Sequence, residues 1–315
     1  MGISKEAMLF GYLLGDGWVS ITPALNYDKQ RDKHYSTTRK QCGFSGDLES
    51  LEKIKIDLIE LYGDIGRATI FTVDTSSPKY NIKGVTNKFS CSTRIVDIFV
   101  GLGAPVGNRV ENEFLLPDWI INGSVEVKRG FISGLYAAEG STPSMQTNDK
   151  TARPFSLCLT KRVEHKDNLV ALMNQISSIC SDLGLSTKIK LIKTYTVAEN
   201  VKATLLFSNH HDQVIKFCEQ LSFRYCSRKD EERSHILQYY YAKSKMLSVL
   251  SLAYDEAMVE NSSPSYIAKK YGITLRQVMK WRERRTGYRI PNTFETYTNF
   301  KAMLSTINSV NSVEA

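Results

Sequence analysis

The sequence predicts an α+β protein: two copies of an α-β-β-α-β-β-α unit, related as a pseudo-twofold repeat, followed by a small all-helical C-terminal module. Three observations carry this expectation. A nine-residue motif occurs twice, as Leu9-Phe10-Gly11-Tyr12-Leu13-Leu14-Gly15-Asp16-Gly17 and as Ile132-Ser133-Gly134-Leu135-Tyr136-Ala137-Ala138-Glu139-Gly140. The segments behind the two copies run through strand-like and helix-like patterns in the same order. Nearly all the net charge sits in one stretch near the C-terminus that belongs to neither copy.

Each motif is an apolar helical stretch with a small third residue, ending in carboxylate-Gly. Behind the first, residues 18–22 and 37–45 read as strands and 48–62 as an amphipathic helix ending near Gly63. Residues 68–73 and 80–90 read as two more strands, and 94–103 as a closing helix. Behind the second motif, strands are expected at 141–147 and 155–160, where Phe155, Leu157 and Leu159 alternate with smaller or polar residues. A helix at 166–183 ends near Gly184; strands at 188–196 and 203–208 and a helix at 212–221 complete the copy. The exits also align, Leu102 to Arg109 with Leu221 to Arg228. From about residue 229 the chain reads as helix, with Asn261-Ser262-Ser263-Pro264 as turn-like punctuation. Domains are expected at 1–122, 123–245 and 246–315.

With 315 residues, 42% of them hydrophobic and 10% aromatic, the chain can build a sizeable core, and wholesale disorder is excluded. No window approaches the ~18 consecutive apolar residues of a membrane span, and the N-terminus lacks the order of a signal peptide. Six cysteines, at 42, 91, 158, 180, 218 and 226, include no C-x-x-C pair. That argues against a zinc ribbon or a disulfide framework and for a reducing compartment. A soluble, intracellular protein with no membrane partner is expected. The net charge is +8, and the segment 266–290 holds Lys269, Lys270, Arg276, Lys280, Arg282, Arg284, Arg285 and Arg289 against Glu283 alone. Such concentration points to a polyanion.

A carboxylate is electrostatically unwelcome at a helix C-terminus, by roughly 0.3–1 kcal/mol. Two converging ends would be worse unless a cation stands between them, and Mg²⁺ takes oxygen ligands of this kind. The small residues Gly11, Gly15, Gly134, Ala137 and Ala138 allow the two helices to approach closely, bringing Asp16 beside Glu139.

On these motifs, and on the run Gly103-Ala104-Pro105-Val106-Gly107-Asn108-Arg109 followed by Leu115-Leu116-Pro117-Asp118-Trp119-Ile120, the sequence resembles the LAGLIDADG homing endonucleases in their single-chain, two-repeat form. The resemblance covers roughly residues 5–245. It implies a saddle of two four-stranded sheets on the DNA major groove, and Mg²⁺, replaceable by Mn²⁺, at the scissile phosphates. Carried over, Asp16 and Glu139 match the metal-binding acids, with Glu139 departing from the Asp of the family pattern. The carbonyls of Gly15 and Ala138 would be adjacent ligands. Lys229 fits the slot of the basic residue that assists the attacking water or the phosphate. In the first copy that slot holds Arg109, which can stabilise charge but is a poor proton acceptor, so the strands are expected to be cut at unequal rates. Asn209-His210-His211 is a lone tripeptide without the further histidine context of an HNH nuclease.

Residues 265–281 fit a helix-turn-helix. Ile267 and Ala268 pack inside the first helix, Gly272 makes the turn, Ile273 plugs the core, Thr274 caps the second helix and Val278 and Trp281 face inward. Arg276 and Gln277 then suit base edges, and Lys280 and Arg284 suit phosphates. On the sheets, Ser20, Thr22, Arg39, Gln41, Lys188 and Lys190 have the alternation and chemistry for groove contact.

The leading expectation is a monomeric, metal-dependent endonuclease making a staggered double-strand break at a long asymmetric DNA site. The alternatives are a DNA-binding regulator without catalysis, and a splicing cofactor holding intron RNA. An intact self-splicing intein is not expected, because Met1-Gly2 offers no nucleophile and the C-terminus lacks His-Asn.

Overall fold

The computed structural model describes residues 2–28, 33–76, 84–193, 199–259, 262–284, 287–288 and 294–311. The fold is α+β with antiparallel sheets, and the chain forms two compact units. One comprises Met1–Ser144 and Arg153–Arg233, the other Met145–Ala152 and Ser234–Ala315.

The first unit begins with α1 (Lys5–Asp16), N-capped by Ser4, whose hydroxyl accepts from Ala7 N at 3.2 Å. A long hairpin follows, β1 (Gly17–Asp28) and β2 (Lys33–Gly46), extending well beyond the two short strands expected. Next come α2 (Leu48–Tyr62), β3 (Phe71–Asp74), β4 (Val85–Ser90) and α3 (Thr93–Gly101), giving a four-stranded sheet of order β1-β2-β4-β3. Residues 80–83 of the strand expected at 80–90 lie outside the described residues. Phe44, Phe89 and Phe99 meet in the core beneath this sheet, with Leu51, Ile54 and Leu58 from the apolar stripe of α2 also fully buried.

A short helix α4 (Asp118–Ile121) leads into α5 (Val125–Glu139), capped by Ser124. Then come β5 (Ser156–Arg162), a 3₁₀ turn at Val163–His165, α6 (Lys166–Asp182), β6 (Thr187–Lys193), β7 (Asn200–Phe207) and α7 (His211–Gln220). The expected strand at 141–147 is absent, and the second sheet has three strands in the order β5-β7-β6. In its place are isolated bridges, Gly140 to Leu157 and Met145 to Ala152. Residues 194–196 of the next expected strand lie outside the described residues. Gly63 and Gly184 follow α2 and α6 with φ of +72° and +70°, the left-handed backbone that ends helices.

The second unit is built around α8 (Ser227–Met258), whose C-terminal part, from Ser234, lies in this unit. Tyr240 Oη accepts from Ala152 N at 2.8 Å and Lys243 Nζ donates to Lys150 O at 2.7 Å, so the segment Met145–Ala152 is held here. Helices α9 (Pro264–Tyr271), α10 (Leu275–Arg284) and α11 (Tyr297–Asn311) complete it. Ile267, Val278 and Trp281 are buried with Leu250, Ala253 and Ala257 of α8; Ala268 and Ile273 pack against them. Gly272 turns the chain at φ +64°, and Thr274 Oγ1 accepts from Gln277 N at 3.2 Å.

Candidate active site

Helices α1 and α5 lie against each other with backbone nearly touching backbone. A Cβ added to Gly11 would strike Phe131 O, one added to Gly134 would strike Met8 O, and one added to Gly130 would strike Ser4 O. At the far end a Cβ on Gly15 would strike Ala138 and come within 3.1 Å of Glu139 Cγ. Both helices end on the acid, α1 at Asp16 and α5 at Glu139.

The glycines after the acids are not left-handed; Gly17 has φ −101° and Gly140 φ −77°. They are required for space. The chain leaves each helix so sharply that a Cβ on Gly17 would sit 2.7 Å from Leu13 Cα, and one on Gly140 2.5 Å from Tyr136 O.

Two cations cap the paired helix ends in matching fashion. Arg109 donates from Nη1 to Leu13 O at 2.8 Å and from Nη2 to Gly15 O. Lys229, buried near the start of α8, donates from Nζ to Tyr136 O at 3.3 Å, Ala137 O at 2.7 Å and Ala138 O at 3.3 Å. Leu13 and Gly15 stand to Asp16 as Tyr136 and Ala138 stand to Glu139. The repeat seen in the motifs therefore extends to the cations that cap the helix-end carbonyls. The two carbonyls expected as metal ligands, Gly15 O and Ala138 O, are the ones these cations already engage.

The electrostatics are those of a crowded pair of anions. Asp16 stays open to solvent and Glu139 is half-buried. Desolvation nonetheless raises both pKa values, Glu139 further through the charge of Asp16, while Arg109 and Lys229 pull them back. Burial lowers the pKa of Lys229 against the attraction of both acids, and lowers that of Arg109 likewise. Among the described residues no group of three or more His, Cys, Asp or Glu converges. With the neighbouring carbonyls taken up by the two cations, the donor set is the two carboxylates, hard oxygens that suit a divalent cation drawing its remaining ligands from water and phosphate.

The strand registers sort the other expected residues. Ser20 pairs with Gln41 and Thr22 with Arg39, so these four share one face, opposite the buried Val19, Cys42 and Phe44. Lys188 and Lys190 pair with Leu206 and Thr204, placing them on the face of the second sheet that also carries Lys202 and Thr160. In α10, Arg276 and Lys280 are exposed and Gln277 is half-buried. The side chain of Arg284, with Arg285 and Arg289, lies outside the described residues.

One group escaped the sequence reading. Lys161 is 2% exposed, on the inward face of β5 in line with Leu157 and Leu159. Its phase was legible, since the alternation that turns Leu157 and Leu159 inward turns Lys161 inward too. Burial lowers its pKa to about 8, with Glu113 opposing and Arg109 adding to the shift. Arg109, Glu139 and Lys161 line a cavity of about 140 Å³ whose other walls include Leu14, Phe114 and Leu172.

No family model matches the sequence. The chain is similar to the tRNA-splicing ligase RtcB of Methanopyrus kandleri, 24% identical over 310 residues, which cover 95% of this chain and 29% of that protein. It is similar to the DNA-directed RNA polymerase subunit Rpo1N of Methanocaldococcus jannaschii, 22% identical over 247 residues, 76% of this chain and 17% of that one. It is also similar to the replication factor C small subunit of the same organism, 23% identical over 223 residues, 70% and 11% of the two chains. The chain therefore spans less than a third of the length of these relatives. Among solved structures it is similar to the LAGLIDADG homing endonuclease I-GzeII in complex with its DNA target, with a TM-score of 0.40, 12% identity and coverage of 89% and 98%. A second is the meganuclease I-SmaMI bound to uncleaveable DNA, with a TM-score of 0.38, 11% identity and coverage of 88% and 98%.

Proposed function

We propose that the chain is a sequence-specific DNA endonuclease of the two-repeat LAGLIDADG type, hydrolysing one phosphodiester on each strand of a long asymmetric site. The observation that carries this is the pair of close-packed helices ending in Asp16 and Glu139, each end capped by a cation, Lys229 buried and Arg109 half-buried. A structural helix pair has no use for two acids at adjoining C-termini, where dipole, desolvation and mutual repulsion all oppose them.

Asp16 and Glu139 would hold a divalent cation, which when bound neutralises phosphate charge and activates water. Arg109 and Lys229 stand beside the acids and would stabilise charge gathering on the phosphate. Lys229 carries an amine whose pKa burial lowers, whereas Arg109 remains charged. The polar sheet faces holding Ser20, Thr22, Arg39, Gln41, Lys188 and Lys190 would follow the groove. Helix α10 would add contacts through Arg276, Gln277, Lys280 and Arg284.

The relatives support a reading in which the segment, and not its surroundings, is what they share. A ligase, a polymerase subunit and a replication factor are different kinds of protein by name. The matched stretch is a minor part of each. A stretch recurring in such company is what a self-propagating insertion leaves behind, and the ligase activity is not carried over to this chain.

The test is to incubate the full chain with genomic or randomised DNA in Mg²⁺ and, separately, in Ca²⁺, then to sequence the ends. The expected outcome is one site cut in Mg²⁺ and lost in Asp16→Asn and Glu139→Gln, both of which still bind DNA. Enrichment of bound DNA with no cut ends under either metal would overturn the nuclease reading in favour of a regulator.

A further inference from the structure

We infer that Lys161 is the positioning residue for Arg109, gripping the backbone that carries the guanidinium and holding it over the end of α1. The inference rests on the proposed role of Arg109. Lys161 Nζ donates to Arg109 O at 3.1 Å and to Asn112 O, and stands 4.3 Å from the ring centroid of Phe114. An ammonium has three N–H groups, and these three partners all belong to the 109–114 segment.

A cation on the inward side of a strand is costly to bury. Leu157 and Leu159 fill the adjacent inward positions with hydrocarbon, so a lysine in the third is not what core packing asks for. It also stands close enough to Arg109 for the guanidinium to oppose its charge. What it supplies in return is an anchor. The same segment is tied at its outer edge by Arg162 N to Val110 O at 2.9 Å, Arg162 to Glu111 at 2.9 Å and His165 to Glu113 at 3.2 Å. Those ties hold Val110, Glu111 and Glu113; Lys161 holds the carbonyl of Arg109 itself. The guanidinium that caps the first repeat's helix is thereby fixed to a strand of the second repeat. Small misplacements of a charge-stabilising group cost as much as ~100-fold in rate.

The experiment uses the full chain in four forms beside the unmodified one: Lys161→Met, Lys161→Arg, Arg109→Ala and Lys161→Met with Arg109→Ala. Strand-resolved single-turnover cleavage of a supercoiled plasmid carrying the recovered site reads the rates. Lys161→Met is expected to slow one strand by about 10- to 100-fold, so that nicked circles accumulate. Arg109→Ala slows the same strand, the double variant is no slower than Arg109→Ala, and Lys161→Arg recovers much of the rate. Equal slowing of both strands, or losses that multiply in the double variant, would overturn the inference. An independent reading is NMR of the Arg109 guanidinium protons, protected from exchange in the unmodified chain and in Lys161→Arg but not in Lys161→Met. Protection unchanged in Lys161→Met overturns the inference even where no cleavage is found, and separates its failure from failure of the nuclease reading.

Discussion

Asp57 sits on the inward stripe of α2 with none of its side chain exposed, and it ties the two repeats together. It accepts from Arg224 Nε at 2.7 Å, Arg224 Nη2 at 3.1 Å and Tyr225 Oη at 2.9 Å, with Lys5 Nζ 3.2 Å away. Burial alone would raise its pKa, but the hydrogen bonds from Arg224 and Tyr225 and the nearby positive charge outweigh it and hold the carboxyl below its ordinary value. A depressed folded-state pKa contributes stability that is present above the unfolded value, near 3.9, and is lost as pH falls through the folded one. Asp57→Asn is therefore expected to cost about 2 kcal/mol at pH 7. The gap between the two proteins in urea melts should close below about pH 4. A gap that stays constant into acid would show that shape, and not charge, is what Asp57 provides.

Two glycine substitutions should act in opposite directions at the level of the element. Gly134→Ala in α5 puts a methyl group into the carbonyl of Met8 and forces α1 and α5 apart. A loss of at least about 2 kcal/mol is expected, together with loss of cleavage, because α1 and α5 carry Asp16 and Glu139 at their ends. Gly101→Ala closes α3, where an added Cβ meets nothing within 4 Å and φ is not positive. It should stabilise by about 0.5–1 kcal/mol. Paired denaturant melts decide both, and a neutral Gly134→Ala would refute the close approach.

At the scale of the whole molecule, the charge of the 266–290 stretch overstates what is available to a polyanion. Within the basic stretch, Lys270 is paired with Glu256 at 2.7 Å, and Arg282 donates to Ala257 O at 2.8 Å and to Ser262 O at 2.6 Å. Arg276 and Lys280 are exposed on α10. Arg276→Ala with Lys280→Ala should weaken DNA binding and lower the slope of log affinity against log salt by roughly 0.9 for each lost phosphate contact. Titrations across salt concentration check this; an unchanged slope would remove α10 from the DNA interface.

The sequence by itself determined the repeat, the helix pair and the acids at its ends, because period, small residues and carboxylate-Gly are local signals present twice. It also determined the packing of α9 against α10, from Ile267, Gly272, Thr274, Val278 and Trp281, signals that are local too. It misread 141–147, where only isolated bridges form, and the length of the β1-β2 hairpin, both of which depend on pairing between strands. The sequence singled out Arg109 and Lys229, but the hydrogen-bond partners of Arg109, Lys161, Lys229 and Asp57 were decided by tertiary structure. Each acts on atoms far away in sequence, Arg109 and Lys229 on the carbonyls of α1 and α5, Lys161 on the carbonyl of Arg109, Asp57 on Arg224 and Tyr225. Hydrogen bonds of that reach leave no period or spacing to read, since only the folded chain brings donor and acceptor together.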